Sequence, residues 1–205
     1  FLFAMLLGAV LQITNTFGSP FLHDFARNPV YAESFIVKYP SILLSVSQMS
    51  EVFFILTIPF FLRRFGIKTV MLMSMVAWML RFGLFAFGDP SATGFGLLLL
   101  SMVVYGCAFD FFNISGSVFV EQEVNSDIRA SAQGLFMTTV NGIGAYVGSV
   151  LSGMAVDYFS VDGVKDWQTI WLVFAAYALA LAVVFYLSFN YRHSGKNSEM
   201  RTVAH

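Results

Sequence analysis

Charged side chains are scarce in this sequence. Only 11% of its 205 residues are Asp, Glu, Lys or Arg, whereas 58% are hydrophobic. A soluble globular domain carries roughly 25% charged residues, and a chain of this length cannot bury so much apolar surface in one core. The composition therefore excludes a soluble globular protein, and the 17% of aromatic residues excludes disorder. It predicts a protein whose solvent is a lipid bilayer.

Cysteine and histidine are nearly absent as well. The single Cys107 cannot form a disulfide framework or a cysteine zinc cluster within the chain. The three histidines lie in loops or in the tail, away from any plausible nucleophile in the apolar runs. A net charge of −1 with scattered basic residues offers no face for nucleic acid. We therefore expect no enzyme, no cofactor or metal, and no nucleic-acid partner.

Long apolar runs are what the sequence does contain. A membrane-spanning helix needs about 20 apolar residues. A strand of a membrane β-barrel is about 10 residues long, and apolar and polar residues alternate along it. We predict an all-α membrane protein with a six-helix bundle over residues 1–190 and a polar cytoplasmic tail at 191–205. The predicted spans cover about residues 1–21, 40–62, 67–88, 94–120, 131–156 and 168–190. Gly144 and Gly148, four residues apart, predict a close approach between two of these helices.

Lys and Arg are unevenly distributed among the polar segments between the runs. The second and fourth loops and the tail hold seven basic residues, whereas the first, third and fifth loops hold three. Cytoplasmic loops carry the excess of basic residues, so we expect both ends of the chain to face the cytoplasm. The first residues resemble the middle of a span with no charged segment before it. We therefore expect the chain to be a fragment of a longer protein.

Three charged residues fall well inside predicted spans: Glu51, Arg81 and Asp110. A charge at the bilayer centre costs about 2.5–3.5 kcal/mol even on lenient insertion scales, so such groups normally face a cavity or a partner. Glu51 and Asp110 are the strongest candidates for function, and a buried ion pair that only fixes helix packing is the alternative. Arg81 lies about 10 Å from the outer end of its span and could instead extend to the interface.

Amide side chains follow one face of each of the first two spans. Gln12 precedes Asn15 by three residues, and Gln48 precedes Glu51 by three, spacings that keep side chains on one helix face. Amides offer hydrogen-bond donors and acceptors together, which a ligand with several hydroxyl groups requires. The pattern predicts a binding site. Hydrogen bonding between helices is the alternative use of amides in membranes.

An aromatic stripe runs along the fourth predicted span. Tyr105, Phe109 and Phe112 lie at offsets of four and seven residues, and Asp110 lies on the neighbouring polar face. A planar ligand could stack on these rings while its hydroxyl groups bond to the polar face. Helix packing is the commoner role of such a stripe. Its position beside an intramembrane carboxylate is what favours binding.

Several motifs resemble a known family. The loop at Leu62–Lys68 resembles, in degenerate form, the basic glycine-containing loop of the major facilitator superfamily, with Arg63 where Asp is usual. More specific are three segments: YGCAFDFFNISGSVFVE at 105–121, IRASAQG at 128–134 and DWQT at 166–169. These resemble the bacterial nucleoside:proton symporter family of that superfamily, from about residue 11 to the tail.

The resemblance implies a transporter that moves a nucleoside inward together with a proton. It implies that this chain is the carboxy-terminal half of a twelve-helix protein of the bacterial inner membrane, with a site between the halves. The implied partners are a nucleoside, a proton, the lipid bilayer and the amino-terminal six-helix half, and no cofactor is implied.

By the family's motif, the nucleoside contacts from this half are Gln12, Asn15, Gln48, Glu51, Tyr105, Phe109 and Asp110. Of these, Glu51 and Asp110 are the candidates for proton coupling. A sugar or polyol:proton symporter is the alternative, because the same amides suit any hydroxyl-rich ligand. A half-size protein that dimerises into a pore is a third possibility.

Overall fold

The computed structural model describes residues 1–189, which are almost entirely helical. The helices are α1 (Leu2–Asp24), α2 (Phe35–Lys38), α3 (Pro40–Phe87), α4 (Ala92–Glu123), α5 (Arg129–Thr138), α6 (Ala145–Tyr158) and α7 (Trp167–Ser188). Short 3₁₀ turns lie at Phe25–Arg27 and Ser126–Ile128. The two-residue strands β1 (Ser160–Val161) and β2 (Val164–Lys165) pair antiparallel between α6 and α7. The predicted tail at 191–205 lies outside the described residues.

Five helical segments of residues 1–189 are long and apolar enough to cross a membrane. They are Leu2–Arg27, Pro40–Phe87, Ala92–Glu123, Ser126–Tyr158 and Trp167–Ser188. The prediction of an all-α chain built from long apolar helices is thereby confirmed. The predicted count of six is not reproduced as such, because the second and third predicted spans are joined in α3.

The length of α3 is accommodated by a sharp break at Gly66. The 48 residues of α3 would extend about 72 Å as a straight helix, more than twice the roughly 30 Å of a hydrocarbon core. Gly66 has φ 76° and ψ 165°, a conformation that glycine adopts without steric cost. Ser47 and Arg81 would lie about 51 Å apart on a straight helix, yet they line one cavity. The first part of α3 (residues 40–65) and the second part (67–87) therefore run in opposite directions.

Aromatic rings join α1, the second part of α3 and α7 into one core. The side chain of Trp171 is fully buried. Its ring centroid lies 5.7 Å from that of Phe82 in a stacked arrangement, 4.9 Å from that of Phe85 and 5.4 Å from that of Phe21. Each such pair contributes about 0.5–1.5 kcal/mol beyond area burial. This cluster anchors α7 to the second part of α3.

The other side of α1 packs against the rod formed by α5 and α6, which a π-helical segment at Thr139–Gly144 connects. Gly144 and Gly148 face α1. A Cβ atom on Gly148 would lie 2.5 Å from the Cα atom of Ala9, and one on Gly144 would lie 3.0 Å from the Cα atom of Gly8. The close helix approach predicted from the two glycines is confirmed, and it depends on their lack of a side chain.

The end of α1 is joined to the start of α7 through polar side chains at the loop end of the bundle. The Asp24 carboxylate accepts hydrogen bonds from Lys165 Nζ at 3.1 Å and from Trp167 Nε1 at 2.9 Å. Asp166 caps α7 by accepting from the Thr169 backbone N–H at 3.2 Å and from the Thr169 hydroxyl at 2.6 Å. Those two hydrogen bonds, the side-chain bond foremost, hold the pKa of Asp166 below its usual range.

Two alanine substitutions on α6 test the close approach to α1. Gly148→Ala should lower the free energy of unfolding by about 1–3 kcal/mol, because the new methyl group overpacks the contact with Ala9. Gly153→Ala is the matched control, because a Cβ atom there meets nothing within 4 Å and alanine favours a helix by about 1 kcal/mol. Thermal unfolding of the purified protein in detergent measures both. A Gly148→Ala variant as stable as Gly153→Ala would contradict this account of the packing.

Candidate functional site

A polar cavity of about 180 Å³ lies between α1, both parts of α3 and α4. Four residues predicted from the sequence line it: Asn15, Gln48, Glu51 and Tyr105. They come from three separate helical segments, so their convergence is a property of the fold. The cavity combines two amides, a carboxylate and a phenol ring in one wall.

Two larger depressions lack this combination. One of about 410 Å³ lies between α3 and α4 and has an almost wholly apolar lining that includes Phe54 and Leu72. Another of about 550 Å³ lies at the loop end of the bundle, beside Asp24 and Trp167. Binding sites are marked by a few convergent polar groups in a concave setting. The 180 Å³ cavity between α1, α3 and α4 is therefore the candidate site, and we call it the central cavity.

Close packing of α3 on α4 places Glu51 and Tyr105 side by side. Ser50 is buried and its hydroxyl accepts a hydrogen bond from the Gly106 backbone N–H at 3.0 Å. The same hydroxyl donates toward the carbonyls of Ser47 and Met102, at 2.9 and 3.2 Å. A Cβ atom on Gly106 would lie 2.6 Å from the Ser50 backbone. Only glycine permits this contact. Glu51 follows Ser50 and Tyr105 precedes Gly106, so the contact brings these two cavity residues together.

The carboxylate of Glu51 is half-buried in the wall of the central cavity. Within residues 1–189, no side chain or backbone N–H donates a hydrogen bond to it, and no cationic nitrogen lies within 4 Å. Arg81 and Asp110 lie within electrostatic range of it. Glu51 is thus a carboxylate that faces open space without a fixed partner.

The rings of Tyr105 and Phe109 form a parallel, stacked pair. Their centroids lie 5.8 Å apart and their planes differ by 1°. Trp78 meets the Tyr105 ring edge-on, with a centroid distance of 5.7 Å and an angle of 89°. Tyr105 borders the central cavity, and Phe109 is half-buried behind it on α4.

Three predicted site residues do not border the cavity. Gln12 is half-buried, and its Nε2 atom donates to Thr16 Oγ1 at 3.3 Å. Asp110 is only 4% exposed, and its Oδ2 atom is buried with no hydrogen-bond partner among the described residues. Phe109 reaches the cavity only through its contact with Tyr105. The structure thus brings together four of the seven predicted residues.

Arg81 occupies a different place from the one expected. Its side chain is 1% exposed and borders the central cavity, so it does not extend to the membrane interface. Extension is prevented because the guanidinium lies over the rings of Tyr105 and Phe85, at 4.4 and 4.9 Å from their centroids. The surrounding aromatic residues, which include Trp78 and Phe82, are the sequence signal that could have indicated burial.

Thr14 borders the central cavity although its place in the sequence did not predict this. It is 6% exposed, and its hydroxyl oxygen is buried without a hydrogen-bond partner in the described part of the chain. Thr14 does not lie three or four residues from another predicted site residue of α1, so helical spacing did not indicate it. No cluster of three or more metal-ligating side chains is present within residues 1–189.

Comparisons with known proteins identify relatives along the whole chain. The family model described as "Nucleoside H+ symporter" matches residues 1–194. The xanthosine permease of Escherichia coli (strain K12) is 81% identical, and the nucleoside permease NupG of the same organism is 58% identical, each over all 205 residues. The chain spans about half the length of these curated relatives, since the match covers 49% of each.

A solved structure agrees with the fold as well. The crystal structure of the nucleoside transporter NupG superposes with a TM-score of 0.89 at 60% identity, and the match covers 94% of this chain and 47% of that one. A variant of the same transporter gives a TM-score of 0.90 at 59% identity over 93% of this chain and 47% of that one. These relatives are permeases and transporters, not enzymes. The chain belongs to the nucleoside H+ symporter family.

Proposed function

We propose that this chain is the carboxy-terminal half of a secondary transporter that takes up a nucleoside together with a proton. The observation that carries the proposal is the central cavity, where the amides of Asn15 and Gln48, the carboxylate of Glu51 and the ring of Tyr105 converge. The family match and the 81% identity to a xanthosine permease support the substrate class. The half-length coverage of the relatives supports the assignment to one half of a longer protein.

Six membrane crossings form the proposed half. The reversal of α3 at Gly66 supports two crossings within Pro40–Phe87, which raises the five long apolar segments to six. The excess of basic residues in the second and fourth loops and the tail supports a cytoplasmic location for both ends. A major-facilitator half in the bacterial inner membrane fits this arrangement.

The size of the central cavity supports a site shared with a second half. Pockets for small molecules usually have volumes of about 300–1,000 Å³, whereas the cavity in this half measures about 180 Å³. Asn15 and Gln48 are exposed at its edge, where an apposed helical half would cover them. The amino-terminal six-helix half would supply the opposite wall.

Each part of the site has a distinct role toward a nucleoside. The amides of Gln12, Asn15 and Gln48 donate to and accept from ribose hydroxyl groups and base edges. Tyr105 and Phe109 offer parallel ring faces on which a flat base stacks. A sugar or polyol would use the amides but gain less from the rings, which is why the nucleoside is favoured.

The proton is carried by an intramembrane carboxyl group, with Glu51 and Asp110 as candidates. The carboxylate of Glu51 has no hydrogen-bond donor within residues 1–189, and Asp110 Oδ2 is buried without one. An unpaired buried charge is costly, so a carboxyl group in such a place is stabilised when a proton neutralises it. Alternating exposure to the two sides of the membrane would let that proton enter and leave.

Neutral variants of the two carboxyl groups test the coupling. In the full-length protein, Glu51→Gln and Asp110→Asn should abolish uphill accumulation driven by a pH gradient, because neither amide can bind and release the proton. Downhill nucleoside exchange should persist in the variant whose carboxyl group carries the proton. Uptake into proteoliposomes with and without a pH gradient separates the two activities.

Asp89→Asn is the control for these variants, because Asp89 lies between α3 and α4 and outside the spans. It should accumulate nucleoside as the unmodified protein does. Normal uphill uptake by both Glu51→Gln and Asp110→Asn would remove the two carboxyl groups from the coupling mechanism.

A substitution in the aromatic surface tests the substrate class. Phe109→Ala should weaken nucleoside binding about two- to twelvefold, because ring stacking is worth about 0.5–1.5 kcal/mol beyond area burial. Phe95→Ala is the control, since Phe95 is also a partly buried residue of α4 but lies ten residues before Tyr105, about 15 Å along the helix, whereas Phe109 stacks on Tyr105. Calorimetry with uridine, adenosine, ribose and a hexose measures the affinities. Ribose or hexose binding as tight as nucleoside binding, with no effect of Phe109→Ala, would favour the sugar symporter.

A further inference from the structure

Arg81 is a buried cation without an acidic partner in this half of the site. Its side chain is 1% exposed, and within residues 1–189 no carboxylate oxygen lies within 4 Å of its nitrogen atoms. Removing a charge from water costs several kcal/mol unless other groups compensate. A buried cation of this kind needs contacts that hold it in position and a nearby negative charge that stabilises it.

Two kinds of contact hold the guanidinium in position. Its Nη1 atom donates to the Ser101 carbonyl at 2.8 Å, and the Ser101 hydroxyl donates to the Arg81 carbonyl at 3.2 Å. Its Cζ atom lies over the rings of Phe85 and Tyr105, 4.9 and 4.4 Å from their centroids. Cation–π contacts of this kind are strongest when water is excluded. These contacts fix the charge but leave part of the guanidinium unsatisfied, since Nε is buried with no hydrogen-bond partner.

The negative charge that Arg81 can face is Glu51. Both residues border the central cavity, one from each antiparallel part of α3, and each lies within electrostatic range of the other. The other ionisable groups near Glu51 are Tyr105 and Asp110 of α4. The cavity residues of α1, which include Thr14 and Asn15, are uncharged. Arg81 is therefore the fixed positive charge near Glu51 in the described half of the site.

We propose that Arg81 is a positioning residue of the transport cycle, which stabilises the ionised form of Glu51 across the cavity and thereby sets the pH range over which Glu51 exchanges its proton. The inference rests on the proposed function and adds a residue to it. A positive charge close to a carboxylate favours loss of the carboxyl proton. The same guanidinium also lies over the Tyr105 ring, so the charge and the shape of Arg81 have separable effects.

Conservative and neutral substitutions separate the charge from the shape. Arg81→Lys keeps the positive charge but lacks the planar group that stacks on Tyr105. Arg81→Gln and Arg81→Met remove the charge, and methionine retains the unbranched apolar stem. A role in packing alone predicts similar defects in all three variants, whereas the proposal predicts a shifted pH profile only in the two neutral ones.

The test measures nucleoside uptake by the full-length protein in proteoliposomes over a range of external pH. The midpoint at which uptake falls with rising pH should move upward by about one pH unit in Arg81→Gln and Arg81→Met, because a carboxyl group that loses a nearby cation holds its proton more tightly. Arg81→Lys should keep the midpoint of the unmodified protein, even where its nucleoside affinity falls several-fold. In the Glu51→Gln background, where downhill exchange of labelled nucleoside is measured, adding Arg81→Gln should not shift the pH profile, since no Glu51 proton remains.

Each outcome decides the proposal. An unmoved midpoint in the neutral variants, an equal shift in Arg81→Lys, or a shift that persists in the Glu51→Gln background would overturn it. If both neutral variants fail to reach the membrane, the charge of Arg81 is required for folding, and the proposal is overturned as well. Unmodified protein that exchanges no labelled nucleoside would refute the proposed function, whereas normal exchange with an unmoved midpoint would refute only the role of Arg81.

Discussion

The contact between Ser50 and Gly106 is the constraint on which the candidate site depends. It lets the backbones of α3 and α4 approach so closely that no side chain fits between them. Glu51 and Tyr105 are the chain neighbours of these two residues, so the same contact places a carboxylate beside an aromatic ring. Farther along the interface, the reciprocal hydrogen bonds between Arg81 and Ser101 connect the second part of α3 to α4. One helix, α4, thus aligns both antiparallel parts of α3 around the central cavity.

The apolar solvent around the helices explains why a few polar contacts are enough to determine how the helices pack. In a hydrocarbon solvent, backbone groups are satisfied within each helix, and association depends on close packing and a few interhelical hydrogen bonds. The helices use both: glycines let α6 approach α1, and buried serines connect α3 to α4. The aromatic core around Trp171 holds α7 against α3 without polar contacts from the cavity residues. Asn15, Gln48 and Glu51 of the central cavity take no part in these contacts between helices.

The sequence was sufficient to predict the helical class and part of the site. The features that could be predicted differ from the others in their physical origin. Residue spacing within one helix is fixed by the helix itself, so Gln48 and Glu51 could be assigned to one face from the sequence alone. Contacts between helices depend on packing that the sequence does not display. The burial of Arg81 under Tyr105, the unpartnered hydroxyl of Thr14 and the link from Asp24 to Trp167 all belong to that second kind. The predicted boundary between the second and third spans, at residues 62–67, includes the break at Gly66, where α3 continues with little irregular chain between its two parts.

The central cavity and the adjoining part of α4 hold ionisable groups in settings that ordinary protein interiors avoid. Glu51 has no donor among the described residues, Asp110 Oδ2 is buried without one, and Arg81 has no acidic partner within 4 Å. Each arrangement costs free energy in a static protein. A bundle tolerates it where the surrounding contacts are strong, as they are between Phe82, Phe85 and Trp171. In the proposed transporter, groups without fixed partners are free to acquire a proton, a ligand or contacts from the other half. The unfavourable arrangements are thus confined to the residues whose charge and partners would change in the proposed transport cycle, while tightly packed helices surround them.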